Sequence, residues 1–146
     1  MMKYEKIDLG LQHHFLGRGV VQTKSSIFIH QKKYAGSLLN KFGLNECKIV
    51  TTPLVATEKL VKDDGSGAAS EEQYKSIVGS LMYLTATRPD IMYASSLLAR
   101  FMHCPTNKHY GTAKRLLRYI KGTLDYGFES MLGVKPAQYL KGSVEL

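Results

Sequence analysis

The chain has 146 residues, 44% of them hydrophobic and 22% charged, a composition that excludes a disordered segment and suits one modest globular domain. No apolar run reaches the ~18 residues of a membrane span, and the opening Met-Met-Lys-Tyr-Glu-Lys lacks the core of a signal peptide, which points to an intracellular chain without a membrane partner and leaves the compartment unnamed. The net charge of +8 favours a polyanionic partner, whereas Cys47 and Cys104, far apart and without a CxxC pairing, argue against a disulfide framework or a zinc site.

The segment 15–22 reads as a strand, Thr23-Lys24-Ser25-Ser26 as a turn, and 27–30 as a second short strand, which together predict a β-hairpin. Gly17 and Gly19 weaken the first strand and mark a bulge or a close backbone approach. A helix is predicted over about 31–42, with Tyr34, Leu38, Leu39 and Phe42 at helical spacing and Gly43 as its stop. Residues 45–70 form a long irregular connection, of a length that is often functional or mobile. A second helix is predicted over 71–86. Thr87-Arg88-Pro89-Asp90 resembles a helix start with Thr87 as cap, which predicts a third helix from 90 to about 103. Thr106 caps a fourth, 107–121, closed by Gly122. After Asp125 the pattern fades. The fold class is therefore α+β and mainly α: an N-terminal hairpin, about four helices and an irregular C-terminal tail.

The positive charge is concentrated. Residues 100–122 hold Arg100, Lys108, Lys114, Arg115, Arg118 and Lys121 and no acidic residue. In the fourth helix Ala113, Leu116, Leu117 and Ile120 make an apolar stripe. Lys114, Arg118 and Lys121 share a neighbouring face, and Lys108 and Arg115 share another. Like charges at this spacing repel, and a phosphate backbone would relieve the repulsion. A solvated basic face is the plain alternative. No base-reading motif is present, so the nucleic-acid partner implied is bound through its backbone and without sequence specificity.

Other chemistry finds little support. Asp63-Asp64, the paired carboxylates, sit in a Gly/Ser loop instead of a rigid hairpin turn, so they read as a solvated loop and not as a two-metal centre. His13-His14 and His30 could approach one another across the hairpin, but adjacent strand residues point to opposite faces. Cys104, with His103 and His109, lacks a glycine-framed nucleophile motif and reads as helix-end packing. Phosphate-binding loops of the common kinds are absent. No cofactor or metal site is expected in this chain.

Several ordered motifs carry a family resemblance. Asp8-Leu9-Gly10-Leu11 and His14-Phe15-Leu16-Gly17 are followed by Gln31-Lys32-Lys33-Tyr34, Leu38 through Gly43, Thr51-Thr52-Pro53-Leu54 and Tyr74 through Leu84. Thr85-Ala86-Thr87-Arg88-Pro89-Asp90-Ile91 and Ala113 through Thr123 are the strongest. This collinear set, over about 5–128, resembles the part of Copia-type retrotransposon Pol polyproteins that follows the reverse-transcriptase catalytic motif. The resemblance implies a primer-grip-like strand at Phe15, Leu16 and Gly17, with the glycines admitting a sugar–phosphate backbone. It further implies a thumb-like or connection-like helical part, and backbone contacts by Lys108, Lys114, Arg115, Arg118 and Lys121.

The domains implied are a hairpin region at 1–30, a helical region at 31–128 and a divergent tail at 129–146. The family's Tyr-Val-Asp-Asp turn would lie before Met1, and its ribonuclease H carboxylates after about Phe128. Both belong to parts of the parent polyprotein that this sequence does not contain, and the magnesium used by the parent enzyme would go with them. Gly19 stands where a polar or acidic residue is expected. The function implied is a catalytically incomplete piece of an RNA-directed DNA polymerase that binds nucleic acid. The alternative is a non-catalytic protein-interaction module or a non-functional transposon remnant.

Overall fold

A computed structural model describes residues 11–15 and 18–131. Four antiparallel strands form one sheet in the order β1 (Leu11–Phe15), β2 (Arg18–Gln22), β3 (Ser26–His30) and β4 (Gly127–Met131). The predicted strand over 15–22 is thus divided between two antiparallel strands, with Phe15 of β1 paired to Arg18 of β2, and β1 takes in residues that the sequence pattern leaves unassigned. The β2–β3 hairpin stands, closed by Thr23, whose hydroxyl and backbone N–H both reach the Ser26 carbonyl.

β4 is the second difference. Residues 127–131 lie where the periodicity had faded, yet they pair along the whole of β3, with Ile29 opposite Phe128 and Phe28 opposite Glu129. A strand whose partner lies about a hundred residues away leaves little local signature. The register also explains two glycines. His30 pairs with Gly19 on one side and Gly127 on the other. A Cβ at Gly19 would overlap the His30 ring, and one at Gly127 would overlap the Ile29 carbonyl. The close approach at Gly19 is therefore made by a histidine of this chain.

The helices fill the sequence between β3 and β4. α1 (Lys32–Lys41) ends in a Schellman motif: Gly43, at φ 71°, donates to the Asn40 carbonyl and Leu44 to that of Leu39. α2 (Glu71–Leu84) starts at Ser70, whose hydroxyl accepts from the Gln73 N–H. A 3-10 turn (Pro89–Ile91) leads into α3 (Met92–Ala99), shorter than the predicted 90–103 because the chain then turns to lay Phe101 against the His109 ring, 3.9 Å between centroids. α4 (Asn107–Lys121) has the predicted bounds.

Thr87 is not a cap. Its hydroxyl instead donates to Gln31 Oε1 at 2.7 Å, which ties the entry to α3 to the start of α1. The core lies between α1, α2, α3 and α4, where Ile77, Leu81, Leu98, Leu116, Leu117 and Ile120 are wholly buried. Each such side chain contributes roughly 1.5–3 kcal/mol by leaving water. No helix among the described residues is long and apolar enough to cross a membrane.

Candidate nucleic-acid interface

α4 presents the charge, and its placement begins at its first turn. The Thr106 hydroxyl accepts from the His109 N–H, and the Thr106 N–H donates to His109 Nδ1 at 3.0 Å, so the histidine fills the part that glutamate usually plays in a capping box. His109 Nε2 donates in turn to the Val61 carbonyl at 2.8 Å.

The loop before α2 wraps this same end. Asp64 accepts from the Ser66 hydroxyl and N–H at one oxygen and from the Thr106 hydroxyl at the other. These hydrogen bonds, that of the Ser66 hydroxyl first, hold the Asp64 carboxyl down to about 2. Asp64 is thus a structural carboxylate and not the solvated loop residue that the sequence suggested. Among the described residues, no group of three or more His, Cys, Asp or Glu side chains is placed to hold a metal ion.

A buried charge network anchors the other end of α4. Arg88 and Asp90 form an ion pair at 2.9 Å with side chains only 2% and 5% exposed. Arg88 also donates to the Thr123 carbonyl and hydroxyl, and the Tyr119 hydroxyl donates to Asp90 at 2.7 Å. Burial, and then that hydrogen bond, raise the Tyr119 phenol above its ordinary range. Between this network and residues 49–53 lies a cavity of about 550 Å3 with Asp90 and Tyr119 in its wall.

The five basic candidates fall into two sets. Arg115 donates to the Thr52 hydroxyl at 3.0 Å, Arg118 to the Lys48 carbonyl at 2.9 Å and Lys121 to the Cys47 carbonyl at 2.6 Å. These three hold the 47–52 loop along α4. Lys108 and Lys114 remain exposed. The Lys114 ammonium lies 4.9 Å from the centre of the Tyr110 ring.

The structure adds a residue that the sequence did not mark. Lys41, at the end of α1, shares with Lys114 a groove of about 650 Å3, whose walls include Phe42, Tyr110, Glu72 and Gln73. Lys41 rests 5.4 Å from the centre of the Phe42 ring. Each of these cation–π contacts is worth ~0.5–1 kcal/mol at an exposed site. Nothing in the local pattern of α1 signals this pairing, since it comes from the packing of α1 against α4.

Of the primer-grip-like residues, Phe15 closes β1 opposite Arg18, and Leu16 and Gly17 lie outside the described residues. The side chains of His13 and His14 lie outside them as well, although His14, Gly19 and His30 stand in one row across the sheet. Cys104 is exposed, and His109 is fully buried with both ring nitrogens engaged, so the two do not form a nucleophile pair.

No family model matches the chain, and no solved structure matches it. Curated relatives do. It is 38% identical over 115 residues to a retrovirus-related Pol polyprotein from transposon RE2 of Arabidopsis thaliana, covering 79% of this chain and 8% of that protein. It is 35% identical over 129 residues to the corresponding polyprotein from transposon TNT 1-94 of Nicotiana tabacum, covering 82% of this chain and 10% of that protein. An uncharacterized mitochondrial protein of Arabidopsis thaliana is 42% identical over 121 residues, covering 82% of this chain and 50% of the relative. The chain therefore spans a tenth or less of these polyproteins and half of the mitochondrial protein. By this collinear similarity over four fifths of its length, the chain belongs to the Pol polyproteins of Copia-like retrotransposons.

Proposed function

We propose that the chain is a truncated, non-catalytic piece of a Copia-type RNA-directed DNA polymerase that binds nucleic-acid backbone without sequence preference. One observation carries the reading: Lys108 and Lys114 stand exposed on a helix without an acidic side chain, and the fold brings Lys41 alongside. Arg115, Arg118 and Lys121 hold the loop through a hydroxyl and two carbonyls and not through carboxylates, so they add to the attraction at longer range. The non-catalytic part draws support from Asp64, whose carboxylate is occupied by Ser66 and Thr106.

Binding of labelled single-stranded and duplex nucleic acid, measured across a salt series, tests the proposal. If about four phosphates are neutralised, the duplex slope of log K on log salt is roughly −3.6. Absent or salt-insensitive binding would instead favour a protein-interaction module, for which the exposed Met82, Tyr83, Met92 and Tyr93 are the supporting observation. Primer extension by the purified chain with magnesium and a primed template is expected to fail, and any extension overturns the non-catalytic reading.

A further inference from the structure

We infer that the groove between the end of α1, the start of α2 and α4 takes one unstacked nucleotide of a single-stranded nucleic acid, with its phosphate at Lys41 and Lys114 and its base on the rings of Phe42 and Tyr110. The inference rests on the nucleic-acid reading above and adds where the strand is held and in what form. Two lysines from different helices converge on a cleft of about 650 Å3, within the size range of small-ligand sites. Each lysine lies over an aromatic ring, Lys41 over Phe42 and Lys114 over Tyr110.

That arrangement stores both halves of a nucleotide site. A phosphate offers each ammonium a charge-assisted contact stronger than a ring face. The lysine then swings outward and leaves the ring open to a base. Stacking on aromatic rings accepts any base, which agrees with the lack of a base-reading motif. Bases within a duplex are already stacked on each other and cannot reach the rings, so the groove selects single strands. Glu72, also in the wall, opposes phosphate and sets a limit on affinity. Its neighbour Glu71 is engaged by Lys75 at 2.9 Å.

The test is fluorescence anisotropy of the full chain with labelled oligothymidylate and with a blunt duplex of the same length. Tyr110→Leu is expected to weaken oligothymidylate about tenfold, which corresponds to about 1.4 kcal/mol, and to leave duplex binding within about twofold, whereas Lys41→Gln is expected to weaken oligothymidylate about tenfold and duplex by clearly less. Glu72→Gln is expected to strengthen oligothymidylate a few-fold. Unchanged single-strand affinity, or equal losses for single strand and duplex, overturns the groove and leaves the backbone reading standing. A wild-type chain that binds neither probe overturns both. Should Tyr110→Leu fail to fold by circular dichroism, photocrosslinking of the wild-type chain to iodouridine-substituted oligonucleotide decides. Adducts at Phe42 or Tyr110 support the groove, and adducts confined elsewhere overturn it.

Discussion

Arg88 and Lys114 both carry a positive charge, but the fold uses them in opposite ways. Arg88 is 2% exposed and donates from three nitrogens to Asp90 and Thr123. Lys114 is exposed and rests on the Tyr110 ring alone among the contacts described. The first charge is internal architecture, neutralised where it stands. The second has no acidic partner among the described residues and is exposed. Arg88 and Asp90 cancel within the net charge of +8, so the buried pair takes nothing from the excess that the rest of the chain carries. Part of that excess is focused where Lys41 joins Lys114 in one groove.

The contrast can be broken or sharpened by substitution. The largest effect is expected at Arg88: Arg88→Met leaves Asp90 buried without its counter-ion and should cost about 3–5 kcal/mol in chemical denaturation. Replacing Asp90 by Leu as well should recover much of that loss, because no buried charge is then left alone. A single Arg88→Met that unfolds at the wild-type denaturant concentration would erase the distinction between the two kinds of cation.

Asp64 extends the comparison to an acid. Its carboxyl is lowered from 3.8 to about 2 in the fold, so on acidification the unfolded chain binds the proton first. The stabilisation is complete above 3.8, erodes as the pH falls from there toward about 2, and is absent below. Thermal unfolding of wild type and Asp64→Asn should accordingly differ most near neutral pH and converge in strong acid. A gap that persists to the acid end would show that the amide disturbs packing and not a proton equilibrium.

The cations holding the 47–52 loop lie between the extremes. Arg118→Ala and Lys121→Ala each remove one hydrogen bond to a loop carbonyl and should cost about 1 kcal/mol, with faster proteolysis between α1 and α2. The smallest stability effect is expected at Lys108. Lys108→Gln should stay within about 0.5 kcal/mol of wild type. In a duplex titration it should reduce the salt slope by about one. A loss of stability with unchanged salt dependence would place Lys108 with Arg88 and not with Lys114.

The helices were legible because their signals are local. Thr106 and Gly122 bracket α4, Gly43 ends α1, and the apolar stripe of α4 is buried as its spacing predicts. Caps and periods of this kind involve residues three or four apart, so the sequence displays them directly. The candidate site was legible only as a list of cations. Sequence spacing put Lys114, Arg118 and Lys121 on one face. It gave no sign that Arg118 and Lys121 would turn to carbonyls 70 and 74 positions away in the chain while Lys114 would not.

By itself the sequence determined the α+β class, the limits of α4, the concentration of basic residues there and the relation to retrotransposon Pol polyproteins. Tertiary structure alone decided that β4 completes the sheet, that Gly19 and Gly127 flank His30, that Arg88 is interior and that Lys41 stands beside Lys114. The physical reason is range. Periodicity and capping are fixed by neighbours along the chain, whereas burial of a charge and convergence of two helices depend on segments far apart in sequence that meet only when the core closes.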